Sequence, residues 1–365
     1  MSRKKIRLGI IFGGESSEHD VSLLSAQSLI KELDPATYDI YPIGISQTGE
    51  WFFFEPKEAL HIFRTIDRPC LETHFTDLPL SQVPISDETM DVVFPVLHGP
   101  LGEDGSVQGM LKLAKVPFVG SSVLGSAICM DKDVSKRLLR DAGLPIPKFW
   151  TIQQGTSVDF ETFQYPVFVK PANLGSSVGV EKARNKEELK KAIENAFLYD
   201  HKVLIEEFID GIEIECGVLG NQNPRASQLA RITSSHEFYS YEAKYIDPEG
   251  ATFEIPASLP LELTEEIQRL AIRAFQILCC EGMARVDFFV RGNEIFINEV
   301  NTIPGFTEIS MYPKMWAATG ISYASLIRKL IDFAIEKGNK ERQLLRSPPM
   351  VSKEMHEMDC APGRF

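Results

Sequence analysis

The chain has no run of apolar residues approaching the roughly 18 that a membrane-spanning helix needs, no C-x-x-C pair, and no excess of basic residues. Each absence closes a class of function. After Ser2-Arg3-Lys4-Lys5 the apolar run Leu8 to Phe12 is too short for a signal peptide and ends in Gly13-Gly14, so a cytoplasmic protein without a membrane partner is expected. The six cysteines (Cys70, Cys129, Cys216, Cys279, Cys280 and Cys360) lack metal-ligand spacing to histidine and read as free thiols of a reducing compartment. A formal net charge of -13, with Lys and Arg scattered, gives no footprint for nucleic acid. Neither the G-x-G-x-x-G dinucleotide spacing nor a Walker A motif is present, which excludes an NAD dehydrogenase built on Gly13-Gly14.

What remains is 365 residues of ordinary hydrophobic content, 44%, enough for two or three domains. The densest chemistry lies between Gly282 and Gly305, which reads as two apolar strands around the turn Arg291-Gly292-Asn293. A period of two puts Arg285, Asp287 and Phe289 on one face of the first strand and Val286, Phe288 and Val290 on the other. On the return strand the same period groups Ile295, Ile297, Glu299 and Asn301. If the polar faces coincide, Asp287, Glu299 and Asn301 converge as oxygen donors beside Arg285. Such a set suits a hard cation, Mg²⁺, that keeps ligands from a nucleotide's phosphates. A solvated hairpin would not interrupt strands of Val, Ile and Phe with all four polar types.

Along the chain, IRLGIIF is a buried strand, followed by a glycine turn and a helix from about Val21 to Leu33, with Ser22 placed where an anion or carboxylate could bind. The strand DVVFPVL runs into HGPLGEDGSVQG, a loop with four glycines, where open α/β sheets place ligands. There His98 either contacts a carboxylate or is an ordinary loop histidine. ICMDKDVSKRLLRDAG reads as one amphipathic helix leading to a second domain. A strand ending at Lys170 then enters the small-residue loop Asn173 to Gly179, which suits closure over phosphate oxygens. Glu206-Glu207 before Phe208-Ile209 resembles a hinge against which an adenine lies, with Glu213 able to accept from ribose hydroxyls. The polar stretch from Pro224 to about Ala257, centred on Lys244 and Tyr245, reads as a lid loop.

Taken together, KPANLGSSVGV, IEEF with Glu213, EFYSYEAKY, MARVD and NEVNTIPGFT, with IFGGESSEHDVS, HGPLGEDGSVQG and CMDKDVSK, resemble the ATP-grasp ligases and, within them, the D-alanine:D-alanine ligases. The resemblance runs from about residue 4 to 338. It implies an α/β fold: an N-terminal open-sheet domain (1–128), a central ATP-grasp lobe (129–220), a C-terminal lobe (221–340) and a flexible tail (341–365). ATP and two Mg²⁺, for which Mn²⁺ can substitute, would lie between the lobes. Lys132, Lys170 and Lys244 would meet the phosphates, Ser176 and Ser177 would belong to the loop over them, and Asn298 would also face the nucleotide. Glu206, Phe208, Ile209, Glu213 and Phe289 would contact adenine and ribose. Asp287 with Glu299, and Glu299 with Asn301, would hold the metals. The first D-alanine would place its ammonium on Glu18 and its carboxylate near His98, and the second would place its carboxylate against Arg285, Ser310 and Met311. Arg285 and the amide of Gly305 would stabilise the oxyanion, and Tyr245 would link Glu18 to Ser176. A homodimer is implied. The alternatives are a D-lactate or D-serine ligase of the same fold, or a non-catalytic nucleotide-binding module.

Overall fold

In a computed structural model, residues 4–53, 63–65, 77–234 and 250–345 are described, and they build three sheets. The first has the order β4-β3-β2-β1-β5, from β1 (Ile6–Gly13), β2 (Tyr38–Ile45), β3 (Trp51–Phe53), β4 (Asp77–Leu78) and β5 (Val92–Pro95). β1 pairs in parallel with β2 and β5, and its residues 8–13 are all buried, as a strand covered on both faces requires. One face packs Leu8, Ile10, Phe12 and Phe94 against α1 (His19–Glu32) and the closing helix α8 (Tyr323–Arg342). The other packs Ile11, Ile43 and Val93 against Leu111 of α2 (Ser106–Leu113). A helix late in the chain therefore completes the core of the first sheet.

Two helices follow, α3 (Val123–Met130) and α4 (Lys132–Asp141). The single helix expected here is broken at Asp131, whose extended backbone and carboxylate cap α4 by accepting from the amides of Asp133 and Val134. The second sheet is antiparallel, order β6-β9-β7-β8, from β6 (Phe149–Gln153), β7 (Val167–Pro171), β8 (Glu181–Ala183) and β9 (Lys202–Glu207). Val167, Val169, Val203 and Ile205 bury one face against Leu189 and Ile193 of α5 (Lys186–Ala196). Phe168, Lys170 and Glu206 are left on the other.

The third sheet, also antiparallel, has the order β12-β11-β10-β13-β14, from β10 (Ile212–Gly220), β11 (Arg225–Ser234), β12 (Ala251–Glu254), β13 (Gly282–Arg291) and β14 (Glu294–Asn301). The sequence pattern groups β10 with the central lobe, but its hydrogen bonds are to β11 and β13. β11 and β12 also occupy the two ends of the stretch read as a lid loop. α6 (Leu261–Ile277) covers one face of this sheet.

β13 and β14 do pair as the hairpin, with Arg285 opposite Asn301 and Asp287 opposite Glu299. A register shift then places Phe288 opposite Ile297 and leaves Asn298 over as the extra residue of a bulge. The expected grouping of Ile295 and Ile297 with Glu299 and Asn301 is thereby corrected: both isoleucines are in the core with Phe288 and Val290. The bulge switches faces and turns Asn298 and Glu299 together toward the side of Asp287.

Candidate active site

The faces of the second and third sheets not covered by α5 and α6 enclose a cleft. Strand geometry spaces its floor: Phe289, Asp287 and Arg285 alternate along β13 at about 7 Å intervals, opposite Glu213, Glu215 and Gly217 of β10. One end is apolar, with Phe168, Val180, Phe208, Ile209 and Ile232 beside Phe289. Phe168 and Phe208 have ring centroids 6.0 Å apart, and Lys182 Nζ lies 3.9 Å from the Phe208 centroid. The carboxylate of Glu207 is turned to the amide of Lys148 (2.7 Å).

The other end is charged. Lys170 Nζ donates to Glu206 Oε2 (2.9 Å) and Asn298 Oδ1 (3.1 Å). Lys132 Nζ donates to Leu174 O (2.6 Å) and lies 3.5 Å from Glu299 Oε2. Burial opposes the charge on Glu206, but the ammoniums of Lys136 and Lys170 hold its carboxyl below the usual range. Burial likewise opposes the charge on Lys170, and Glu206 more than offsets it, so this ammonium is raised. Over this end lies the loop between β7 and β8, where Ser176 (φ 52°) and Ser177 (φ 59°) are consecutive left-handed residues. Such strain persists where successive backbone N–H groups form a concavity for an anion. Asp200 anchors the loop's start through both nitrogens of Asn173 (2.8 and 2.9 Å).

Arg285 is half-buried and forks onto Asp287 (2.7 and 2.7 Å), with Glu215 Oε1 at 3.2 Å. Burial opposes its charge, but Asp287 and Glu215 raise its pKa well above that of a free guanidinium. Asn301 Nδ2 donates to Asp287 Oδ2 (3.0 Å). No group of three or more His, Cys, Asp or Glu residues that could hold a metal occurs among the described residues. The donors present, two carboxylates and a carboxamide, instead fit an ion that arrives with phosphate oxygens and needs few protein ligands.

Beyond Arg285 the cleft meets the first sheet. Glu18 precedes α1, and a Cβ on Gly175 of the phosphate loop would sit 3.3 Å from its Oε2. Ser22 does not serve as an anion ligand here: its hydroxyl receives the amide of Gly13 (2.8 Å) and donates to Val96 O (2.5 Å). His98 is 4% exposed, and its Nδ1 lies 3.0 Å from Ile303 O. Burial lowers its pKa, against the charge of Glu18, which favours the neutral imidazole; a neutral ring that donates Nδ1–H to the carbonyl has Nε2 as an acceptor. Near it, half-buried Glu103 accepts from the amides of Gly99 (2.8 Å) and Ile303 (3.1 Å). Gly305 faces Ser310, and a Cβ there would lie 3.2 Å from Ser310 Oγ. Ser310 and Met311 begin α7 (Met311–Ala318), where Ser310 Oγ receives the amide of Thr307 (3.0 Å).

The structure thus lines one cleft with Lys132, Lys170, Ser176, Ser177, Glu206, Phe208, Ile209, Glu213, Arg285, Asp287, Phe289, Asn298 and Glu299. Asn301 joins through Asp287, while Glu18, His98, Gly305, Ser310 and Met311 lie on segments that border the first sheet and α7. Lys244 and Tyr245 fall outside the described residues.

Residues 7–121 match the model for the D-ala D-ala ligase N-terminus, and residues 138–332 match that for the D-ala D-ala ligase C-terminus. The chain belongs to the D-alanine:D-alanine ligase family. It is 49% identical to a D-alanine:D-alanine ligase of Shouchella clausii (94% of this chain, 98% of that one). To that of Oceanobacillus iheyensis it is 47% identical (94% and 99%). Among solved structures, the D-alanine-D-alanine ligase from Coxiella burnetii superposes with a TM-score of 0.81 at 35% identity (94% of this chain, 98% of that one). The VanG D-Ala:D-Ser ligase from Enterococcus faecalis gives 0.78 at 36% (91% and 100%). The Bacillus anthracis D-alanine-D-alanine ligase complexed with ATP gives 0.72 at 30% (92% and 99%). The fold is accordingly ATP-grasp, and the family is one of ATP-dependent carbon–nitrogen ligases.

Three residues of this family member's site are not found by reading motifs. Glu215 is one strand period beyond Glu213, a signal that β10 itself carries. Lys136 is one helical turn beyond Lys132. Glu103 sits within the glycine-rich loop, where nothing in the local pattern marks its bond to the distant amide of Ile303.

Proposed function

We propose that the cleft joins two molecules of D-alanine at the expense of ATP, through a D-alanyl phosphate, and so supplies a peptidoglycan precursor. The observation that carries this reading is the order along β13: an aromatic slot for a base at Phe289, oxygen donors at Asp287 and Glu299 beside two lysines, then the carboxylate-paired guanidinium of Arg285. Lys132 and Lys170 bind the phosphates, and the backbone at Ser176 and Ser177 caps them. Asp287, Glu299 and Asn301 would hold Mg²⁺, which when bound neutralises charge on the transferring phosphoryl group. A carboxylate oxygen of the first D-alanine, oriented by Glu18 and His98, takes the γ-phosphoryl group and leaves ADP. The amine of the second then attacks that carbonyl carbon, the oxyanion is met by Arg285 and the amide of Gly305, phosphate departs and the amine gives up a proton. With Nδ1 donating to Ile303 O, contact of His98 with a substrate carboxylate requires a proton on Nε2 as well, which burial disfavours and the charge of Glu18 only partly restores. Lys244 and Tyr245 would close the site from the lid, which keeps water from the acyl phosphate.

The test is D-alanine-dependent ADP release by the wild-type chain and by Glu299→Gln. We expect the variant to lose at least about a hundredfold in kcat, and full retention would overturn the metal assignment. The likeness to a D-Ala:D-Ser ligase makes the second substrate the finer question. Supplying D-alanine with D-serine or D-lactate at neutral pH and identifying products answers it, and predominance of the mixed product would replace D-alanine as second substrate. No helix among the described residues is long and apolar enough to cross a membrane. A cytoplasmic homodimer is part of the reading, checked by light scattering of the purified chain.

A further inference from the structure

Behind Lys170 lies a second ammonium that the reaction as described does not use. Lys136, on α4, is 1% exposed. Its Nζ donates to Asn298 O (2.9 Å) and lies 3.2 Å from Glu206 Oε1. Glu206 Oε2 receives Lys170 (2.9 Å), and Lys170 returns to Asn298 through Oδ1 (3.1 Å). The four groups close a ring that joins α4, β7, β9 and the bulge of β14. It contains two ammoniums and one carboxylate.

That count decides how Lys170 meets a phosphate. With Lys136 present, Glu206 is matched from behind and the ring presents one surplus positive charge to the cleft. Without it, Glu206 and Lys170 neutralise each other, and an incoming phosphate must compete with a buried carboxylate for its lysine. We infer that Lys136 is a positioning residue for the nucleotide's phosphates: it takes up the charge of Glu206 and so leaves the Lys170 ammonium for the ligand. This rests on the reading of the cleft as an ATP site. A lysine that served only to pin α4 to the sheets would need a partner but would have no reason to share it with a phosphate-facing lysine.

The experiment compares the full-length wild type, Lys136→Met and the double variant Lys136→Met/Glu206→Gln. Mg-ATP binding is measured by calorimetry without D-alanine, and KM for ATP and for D-alanine in the complete reaction. Lys136→Met should weaken ATP binding by about fivefold or more, with KM for ATP raised in parallel and KM for D-alanine unmoved. The double variant, whose ring again holds one unmatched ammonium, should bind ATP at least about threefold more tightly than Lys136→Met. A smaller loss in the single variant, or no recovery in the double, overturns the inference and assigns Lys136 to structure alone. Should Lys136→Met not fold, the double variant decides: binding within about tenfold of wild type supports the inference, and a larger loss overturns it. Failure of the wild type itself to bind Mg-ATP would overturn the reading of the cleft and this inference with it, whereas wild-type binding with unmoved variants removes only the role of Lys136.

Discussion

Arg285 holds two carboxylates at once, and that decides what its loss would do. Its fork spans both oxygens of Asp287 and its Nε also faces Glu215. Arg285→Met should therefore lower kcat at least about a hundredfold through the lost oxyanion donor. It should also cost about 3 kcal/mol of stability, because buried Glu215 and half-buried Asp287 lose their counter-charge. Arg285→Lys keeps the charge but not the fork, so it should recover stability more fully than kcat. Urea midpoints and ADP release measure the two effects, and equal recovery of both would remove the distinction. Most of this residue-level chemistry is legible in the sequence because strand alternation carries it. Lys136 escapes because a lysine at i+4 in a polar helix ordinarily faces water, and only the tertiary structure shows it fully enclosed.

At the level of elements, the hairpin shows where pattern reading stops. Alternation places Arg285, Asp287 and Phe289 correctly on one face, but a bulge has no signature in a strand of Ile, Asn and Glu, and it reverses the side on which Ile295 and Ile297 fall. The break at Asp131 is legible in principle, as an N-cap, yet hydrophobic periodicity runs through it. Glycines allow a sharper element-level prediction. At the end of β1, Gly13 has φ 91°, and a Cβ there would lie 2.0 Å from Ile45 O of the neighbouring strand. Gly143, after α4, has φ 71° with nothing within 4 Å of the same position. Gly143→Ala should cost about 1–2 kcal/mol, the backbone term alone. Gly13→Ala should cost more, about 3 kcal/mol or above, since β1 and β2 must also part. Chemical denaturation of both variants checks the order, and equal losses would show that the strand ends separate freely.

For the molecule as a whole, the first and last parts of the chain meet at groups about which local sequence says nothing. Lys337 of α8 donates to Gly120 O (2.9 Å) and lies 3.3 Å from Glu281, and Glu103 receives the amide of Ile303 from 200 residues away. Such junctions were not legible because neither charge pattern nor periodicity records which loops share a buried space. Glu103 makes this junction sensitive to pH. Burial, with the charge of Glu18, pushes its carboxyl up from 4.5 to about 8, and the amides of Gly99 and Ile303 together with Arg285 offset only part of that. Buried Cys129, whose own thiol is raised far above its usual range, adds no counter-charge. Below pH 4.5 folded and unfolded chains both carry the proton, and the group costs nothing. Between 4.5 and about 8 the unfolded chain ionises while the folded chain keeps its proton, so stability falls as pH rises, and above 8 the loss is complete. Glu103→Gln cannot titrate. Across pH 4.5 to 8.5 the unfolding free energy of wild type minus that of Glu103→Gln should therefore fall by about 2–4 kcal/mol, read from urea midpoints at several pH values. A difference that stays flat or rises would show that the two amides hold Glu103 ionised in the folded protein, and that the junction is a charged one.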